Sequence, residues 1–181
     1  MNKRILVILL SILMLFTFGI GMTYAMLVSK SPSLVNSFVV GNIELTLTES
    51  TGSNYKLVPG TVITKDPKIT VKSGSEACWL FFKLESDDAL EELVTYSISS
   101  GWTALAGEEG VYYRPVAASG ADREYSLLSD NRVTVKTTAT EDKLMSFYGV
   151  PKMIFYAYAI QYEGISTPEA AWSNLMARGN D

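Results

Sequence analysis

Apolar and polar residues alternate with a period of two through much of the chain beyond residue 40. Asn42 to Glu49 sets Ile43, Leu45 and Leu47 on one face and Glu44, Thr46 and Thr48 on the other, the pattern of a half-buried strand. Lys68-Ile69-Thr70-Val71-Lys72 repeats it. Further strands are predicted over Val94–Ser99, Gly110–Val116 and Arg132–Thr138, with a short Tyr55–Val58 segment between the turn signals Gly52-Ser53-Asn54 and Pro59-Gly60. Glu76 to Glu85 is different, because both of its faces are hydrophobic in the middle. That pattern predicts a central strand covered on each side. A long strand is predicted over Lys152–Tyr162, with Met153, Phe155, Ala157 and Ala159 opposite Ile154, Tyr156, Tyr158 and Ile160.

Helical periodicity is confined to short stretches. Ser86 to Leu93 predicts a helix with Ser86 as N-cap and acids at its positive end. Thr140 to Phe147 reads as a short helix or a loop. In the last element Thr167 caps, Pro168 takes the first turn, Ala171, Trp172, Leu175 and Met176 form one apolar stripe, and Gly179 ends it. Many short strands spaced by turns, with two or three short helices, predict an all-β dominated chain, a jelly-roll-like β-sandwich preceded by a signal peptide.

The signal peptide is predicted from the first 25 residues. Lys3 and Arg4 precede an uncharged apolar run, closed by Thr23-Tyr24-Ala25. Signal peptidase admits only small side chains one and three positions before the bond, which places cleavage between Ala25 and Met26. Ile5 to Met22 is 18 uncharged residues, near the length of a membrane helix, so a retained N-terminal anchor is the alternative. Either way the remainder is expected outside the membrane, secreted or at the cell surface, with membrane contact only through the leader. The expected division is 1–25 signal peptide, 26–38 N-terminal segment and 39–181 β-sandwich domain.

Charge and composition narrow the chemistry. Without Lys3 and Arg4 the chain carries 13 basic against 19 acidic residues, a net charge of −6. That balance argues against nucleic acid, which requires clustered cations to displace counterions. Cys78 is the single cysteine and sits inside Ala77-Cys78-Trp79-Leu80-Phe81-Phe82, the setting of a buried thiol. Histidine is absent from all 181 residues, which removes the usual Ser-His-Asp and Cys-His nucleophiles and the HExxH zinc site. Carboxylate pairs occur at Asp87/Asp88, Glu91/Glu92, Glu108/Glu109 and Glu141/Asp142 and read as solvated surface. Phosphate-cradling and calcium-loop motifs do not occur. No enzymatic activity and no cofactor are expected.

The order of several motifs resembles a known family. Thr23-Tyr24-Ala25 is followed by Asn36-Ser37-Phe38-Val39-Val40-Gly41-Asn42-Ile43, Leu57-Val58-Pro59-Gly60 and Lys65-Asp66-Pro67-Lys68-Ile69-Thr70-Val71, then a Trp/Phe-rich strand. Gly101-Trp102, Val111-Tyr112-Tyr113, Ala157-Tyr158-Ala159-Ile160-Gln161 and Ala170-Ala171-Trp172 follow. This series resembles the TasA/camelysin-like family of Gram-positive bacteria, including clostridial-type members. The resemblance implies export through a dedicated signal peptidase and a jelly-roll subunit that forms a homo-polymer, a fibre of the biofilm matrix. Assembly would proceed by addition of one subunit's N-terminal strand to the next, because an open sheet edge is an unpaired ladder. The candidate donor is Met26 to Phe38, anchored by Met26, Leu27, Val28, Leu34, Val35 and Phe38, with Pro32 interrupting a continuous ladder. The alternatives are a flexible leader stub or a first strand pairing within its own subunit. The second functional reading is a surface binding module of adhesin type, with aromatic residues such as Trp102 or Tyr113 contacting a glycan or host protein. The metallo-endopeptidase label carried by some family members does not transfer through a His–zinc mechanism to a chain without histidine.

Overall fold

β5, Cys78–Ser86, organises the fold by feeding two hydrophobic clusters from its two faces. The computed structural model describes residues 36–51, 57–139 and 152–178. In chain order the elements are β1 (Asn36–Val40), β2 (Leu45–Thr48), β3 (Val62–Thr64), β4 (Lys68–Val71), β5, α1 (Asp88–Leu93), β6 (Val94–Ile98), β7 (Thr103–Ala104), β8 (Val111–Val116), β9 (Arg123–Ser126), β10 (Leu128–Val135), β11 (Met153–Gln161) and α2 (Pro168–Arg178). The chain is strand-dominated, as its alternation predicts. A five-stranded sheet runs β1-β11-β5-β8-β7, and two three-stranded sheets run β3-β10-β6 and β2-β4-β9.

Cys78, Leu80, Phe82 and Leu84 point from β5 into the larger cluster, where they meet Ile43, Leu45 and Leu47, Ile69 and Val71 from β4, and Val133 and Val135 from β10. The five-stranded sheet therefore packs by one face against both smaller sheets. Trp79 and Phe81 point the other way and pack with Ile160 of β11 and with Ala171, Trp172 and Leu175 of α2. Period-two alternation thus persists in β5, but both destinations are apolar, which is why its sequence reads as a continuous hydrophobic run. Leu80, Phe81 and Phe82 are fully buried, and each such side chain contributes roughly 1.5–3 kcal/mol relative to exposure.

Antiparallel pairing holds β5 on both sides. β11 pairs with it from Met153↔Ser86 to Gln161↔Cys78, and β8 from Cys78↔Val116 to Lys83↔Val111. The length of the first pairing corrects the expected start of α1. Ser86 stays in the ladder as the last residue of β5, so Asp87 is the N-cap, and its side chain makes no capping bond. The Asp87 carboxylate instead accepts from Lys152 N at 2.8 Å, and the Ser86 hydroxyl donates to Glu91.

A second correction concerns Tyr55–Val58. Tyr55 and Lys56 lie outside the described residues, as does the Gly52-Ser53-Asn54 turn, while Leu57 and Val58 belong to no strand. Val58 O accepts from Thr61 N (3.1 Å) and Thr61 Oγ1 (2.7 Å), so the chain turns here and the strand follows as β3. β10 begins at Leu128, before the predicted Arg132, through a bulge with Asp130 and Asn131 both at φ +53°. These two residue types tolerate left-handed backbone better than most.

α2 forms where expected: Ala170 N donates to Thr167 Oγ1 at 3.2 Å, and Ala171, Trp172 and Leu175 are buried. The candidate helix Thr140–Phe147, with the Glu141/Asp142 pair, and the terminal Gly179 lie outside the described residues.

Candidate functional site

The edge carrying β1 is the site to which the sequence directs attention. Of the expected donor anchors, Met26, Leu27, Val28, Leu34 and Val35 lie outside the described residues, as do the leader and the Ala25–Met26 bond. Phe38 lies in β1, which spans the expected 38/39 boundary and pairs with β11 inside its own chain. The register is Asn36↔Tyr156, Ser37↔Ala157, Phe38↔Tyr158, Val39↔Ala159 and Val40↔Ile160. This is a parallel pairing at the rim of a sheet whose other pairings are antiparallel. Val39 is 38% exposed, and Val40 packs on the cluster under α2.

The chain leaves the edge abruptly. Gly41 has φ +108°, and a Cβ there would stand 3.3 Å from both Cβ and Oε1 of Gln161. Only glycine takes this backbone while lying so close to the neighbouring strand. Asn42 O then accepts from Glu76 N at 3.2 Å, and Ile43 is already buried in the other cluster. Gly41 and Asn42 therefore carry the chain from the five-stranded sheet into the opposing layer.

β11 offers β1 an asymmetric surface. Ala157 and Ala159 are fully buried on one face, where their small size allows close approach of the opposing layer. On the other face the Tyr158 ring meets Trp172 edge-on at 5.1 Å. Burial raises the Tyr158 phenol above its usual pKa and so keeps it neutral. Beside it Lys83 and Glu85 pair at 2.6 Å, and their hydrogen bond holds the Glu85 carboxyl below its ordinary value.

Trp102 and Tyr113, the candidate glycan contacts, are used in packing. Trp102 Nε1 donates to Ser126 O at 2.9 Å, and its ring meets Phe82 edge-on at 4.7 Å. Tyr113 lies against Trp79 and Phe81, with ring centroids 5.9 Å and 6.2 Å away. Among the described residues the exposed aromatic is Tyr162, just past β11, where the alternation predicts only the end of a strand. Its signal was available in Gln161-Tyr162-Glu163-Gly164: an aromatic flanked by polar residues and followed by a turn glycine.

Among the described residues no three His, Cys, Asp or Glu side chains gather as metal ligands do, and no helix is long and apolar enough to cross a membrane. No family model, curated protein or solved structure matches the chain.

Proposed function

We propose that this chain is an exported structural subunit that polymerises into extracellular fibres by β-strand addition, with residues 26–40 of one copy completing the sheet of the next. The leader pattern ending at Ala25 and the motif order resembling TasA/camelysin-like matrix proteins support export and assembly. The observation that carries the reading is β1, the described strand nearest the expected donor segment. It is an edge strand held by five parallel rungs to β11 alone, whereas β11 and β5 share nine antiparallel rungs. Parallel pairing is slightly weaker per residue, so β1 leaves β11 more readily than β5 does. Exchange between copies loses and regains the same rungs, so it costs little. Anchors at Met26, Leu27, Val28, Leu34 and Val35 then add apolar contact. A jelly-roll-like connectivity of the packed sheets, signal peptidase as processing partner and a secreted or cell-surface location belong to the same proposal.

Cysteines at Val39 and Ala159 test it, because register partners on adjacent strands have the Cα spacing a disulfide needs. Oxidation of monomeric Val39→Cys/Ala159→Cys protein gives an internal bridge, and oxidation of assembled protein gives a ladder of covalent multimers on non-reducing gels. Fibres containing only internal bridges would exclude β1 exchange. A protein cleaved at Ala25 that stays monomeric under all conditions would exclude the polymer itself.

A further inference from the structure

Beyond β11 the chain makes a tight turn, Tyr162–Ile165, that walls an open cleft of about 820 Å³. Small-ligand sites typically occupy about 300–1,000 Å³. Three hydrogen bonds fix the turn. Tyr162 N donates to Ala77 O at 2.8 Å, Ile165 N donates to Tyr162 O at 3.2 Å, and Trp79 Nε1 donates to Ile165 O at 3.1 Å. Gly164, at φ +81°, has no atom within 4 Å of where a Cβ would stand, so this wall faces open space.

Tyr162 is 43% exposed, and its ring is backed by that of Trp79, with centroids 4.8 Å apart and planes inclined at 31°. The phenol ring thus rests on a core tryptophan while Tyr162 stays exposed and lines the cleft. Glu76, Gln161, Glu163 and Ser166 surround it. These supply carboxylate, amide and hydroxyl acceptors, and no Lys or Arg stands among the described lining residues. The acids disfavour an anionic ligand, and metal-ligand clustering is missing among the described residues. A neutral ring with polarised C–H bonds on one face and hydroxyl donors at its edge fits best. Such C–H groups are drawn to the negative face of an aromatic ring, and the hydroxyls donate to the acceptors around it.

We propose that the cleft beside Tyr162 is a saccharide-binding site, with Tyr162 as the stacking platform and Glu76, Gln161 and Glu163 accepting from sugar hydroxyls. The proposal stands whether or not the chain polymerises. Saturation-transfer NMR and titration calorimetry on the full-length protein test it, with cellotetraose, chitotetraose, xylotetraose and maltotetraose as probes and acetyl-lysine methyl ester as a cationic control. At least one tetrasaccharide binds. Tyr162→Ala weakens that binding tenfold or more with an unchanged circular dichroism spectrum, and Tyr162→Phe retains it. Glu163→Gln, on an exposed rim residue, weakens it without touching the core. No saccharide binding at millimolar concentration, binding of the lysine ester alone, or binding indifferent to both Tyr162→Ala and Glu163→Gln would each overturn the proposal.

Discussion

The guanidinium carbon of Arg114 lies 4.1 Å from the centroid of the Tyr125 ring, which ties β8 of the five-stranded sheet to β9 of a three-stranded one. Trp102 flanks the same cation at 5.4 Å. Gly101 lies so close that a Cβ there would stand 3.2 Å from Nη2. Arg114 Nε is buried without a hydrogen-bond partner, so aromatic contact is what offsets its desolvation. A double-mutant cycle of Arg114→Met and Tyr125→Leu, read from urea unfolding, returns a coupling of roughly 0.5–2 kcal/mol. Additive single effects would show that the two side chains are neighbours without interaction.

Two glycines with nearly the same φ separate conformational cost from steric cost. Gly107 (φ +82°) has nothing within 4 Å of a would-be Cβ, whereas at Gly110 (φ +73°) that atom would stand 2.4 Å from Leu84 O. Leu84 N also donates to Gly110 O at 2.9 Å, so β5 and the start of β8 cannot separate to make room. Gly107→Ala is expected to cost about 1 kcal/mol, the left-handed penalty alone. Gly110→Ala adds the clash and costs more than about 2 kcal/mol. Shifted urea midpoints with unchanged slopes are the measurement.

Local pattern carries the fold wherever one residue faces one environment. β2, β4, β6, β8 and β11 are legible because their residues follow the two faces of a strand, β5 because both of its faces are apolar, and α2 because its cap and stripe are local. β3, β7 and β9 are not: β3 and β7 have three and two residues, too few to show a period, and β9, Arg123-Glu124-Tyr125-Ser126, carries no apolar face, so each exists because its partner strand supplies hydrogen bonds. Ser86 was misplaced because a capping residue type is a local signal, and pairing with Met153 overrides it. The candidate site follows the same division. That Phe38 belongs to a strand is a local fact, but its parallel partner lies 120 residues away at Tyr158. Tyr162 was missed because exposure of an aromatic depends on what packs behind it, here Trp79.

Cys78 is fully buried at the start of β5, and burial pushes its thiol up to about 11. Only the thiolate attacks disulfide reagents, so both access and ionisation protect it. A thiol reagent such as dithionitrobenzoate is expected to leave the folded protein unmodified at pH 8 and to label one thiol per chain as urea carries it through unfolding. Any covalent dimer through Cys78 would likewise require β5 to open. Rapid stoichiometric labelling of native protein would contradict this burial.

Asp66 sets the sign of one acid-limb effect. Burial alone would raise its carboxyl, but hydrogen bonds from the side chains and backbone of Ser50 and Thr51 outweigh it and lower the group from 3.8 to about 2. Ser50 N and Thr51 N donate at 2.9 and 3.1 Å, and Thr51 Oγ1 donates at 3.0 Å. With the folded value below the unfolded one, the unfolded chain binds more protons between those values. Stability from this clamp is therefore complete above about pH 4 to 5 and is lost as pH falls from 3.8 toward 2. Asp66 is only half-buried, so solvent screening keeps the effect at about 1 kcal/mol or less. Asp66→Asn is expected to unfold at lower urea than the parent at pH 6, with the difference closing toward pH 2. Other carboxylates titrate in the same range in both proteins, so only the difference between the two curves reports on Asp66. A gap that stayed constant from pH 6 to pH 2 would assign the loss to packing rather than to the ionised clamp.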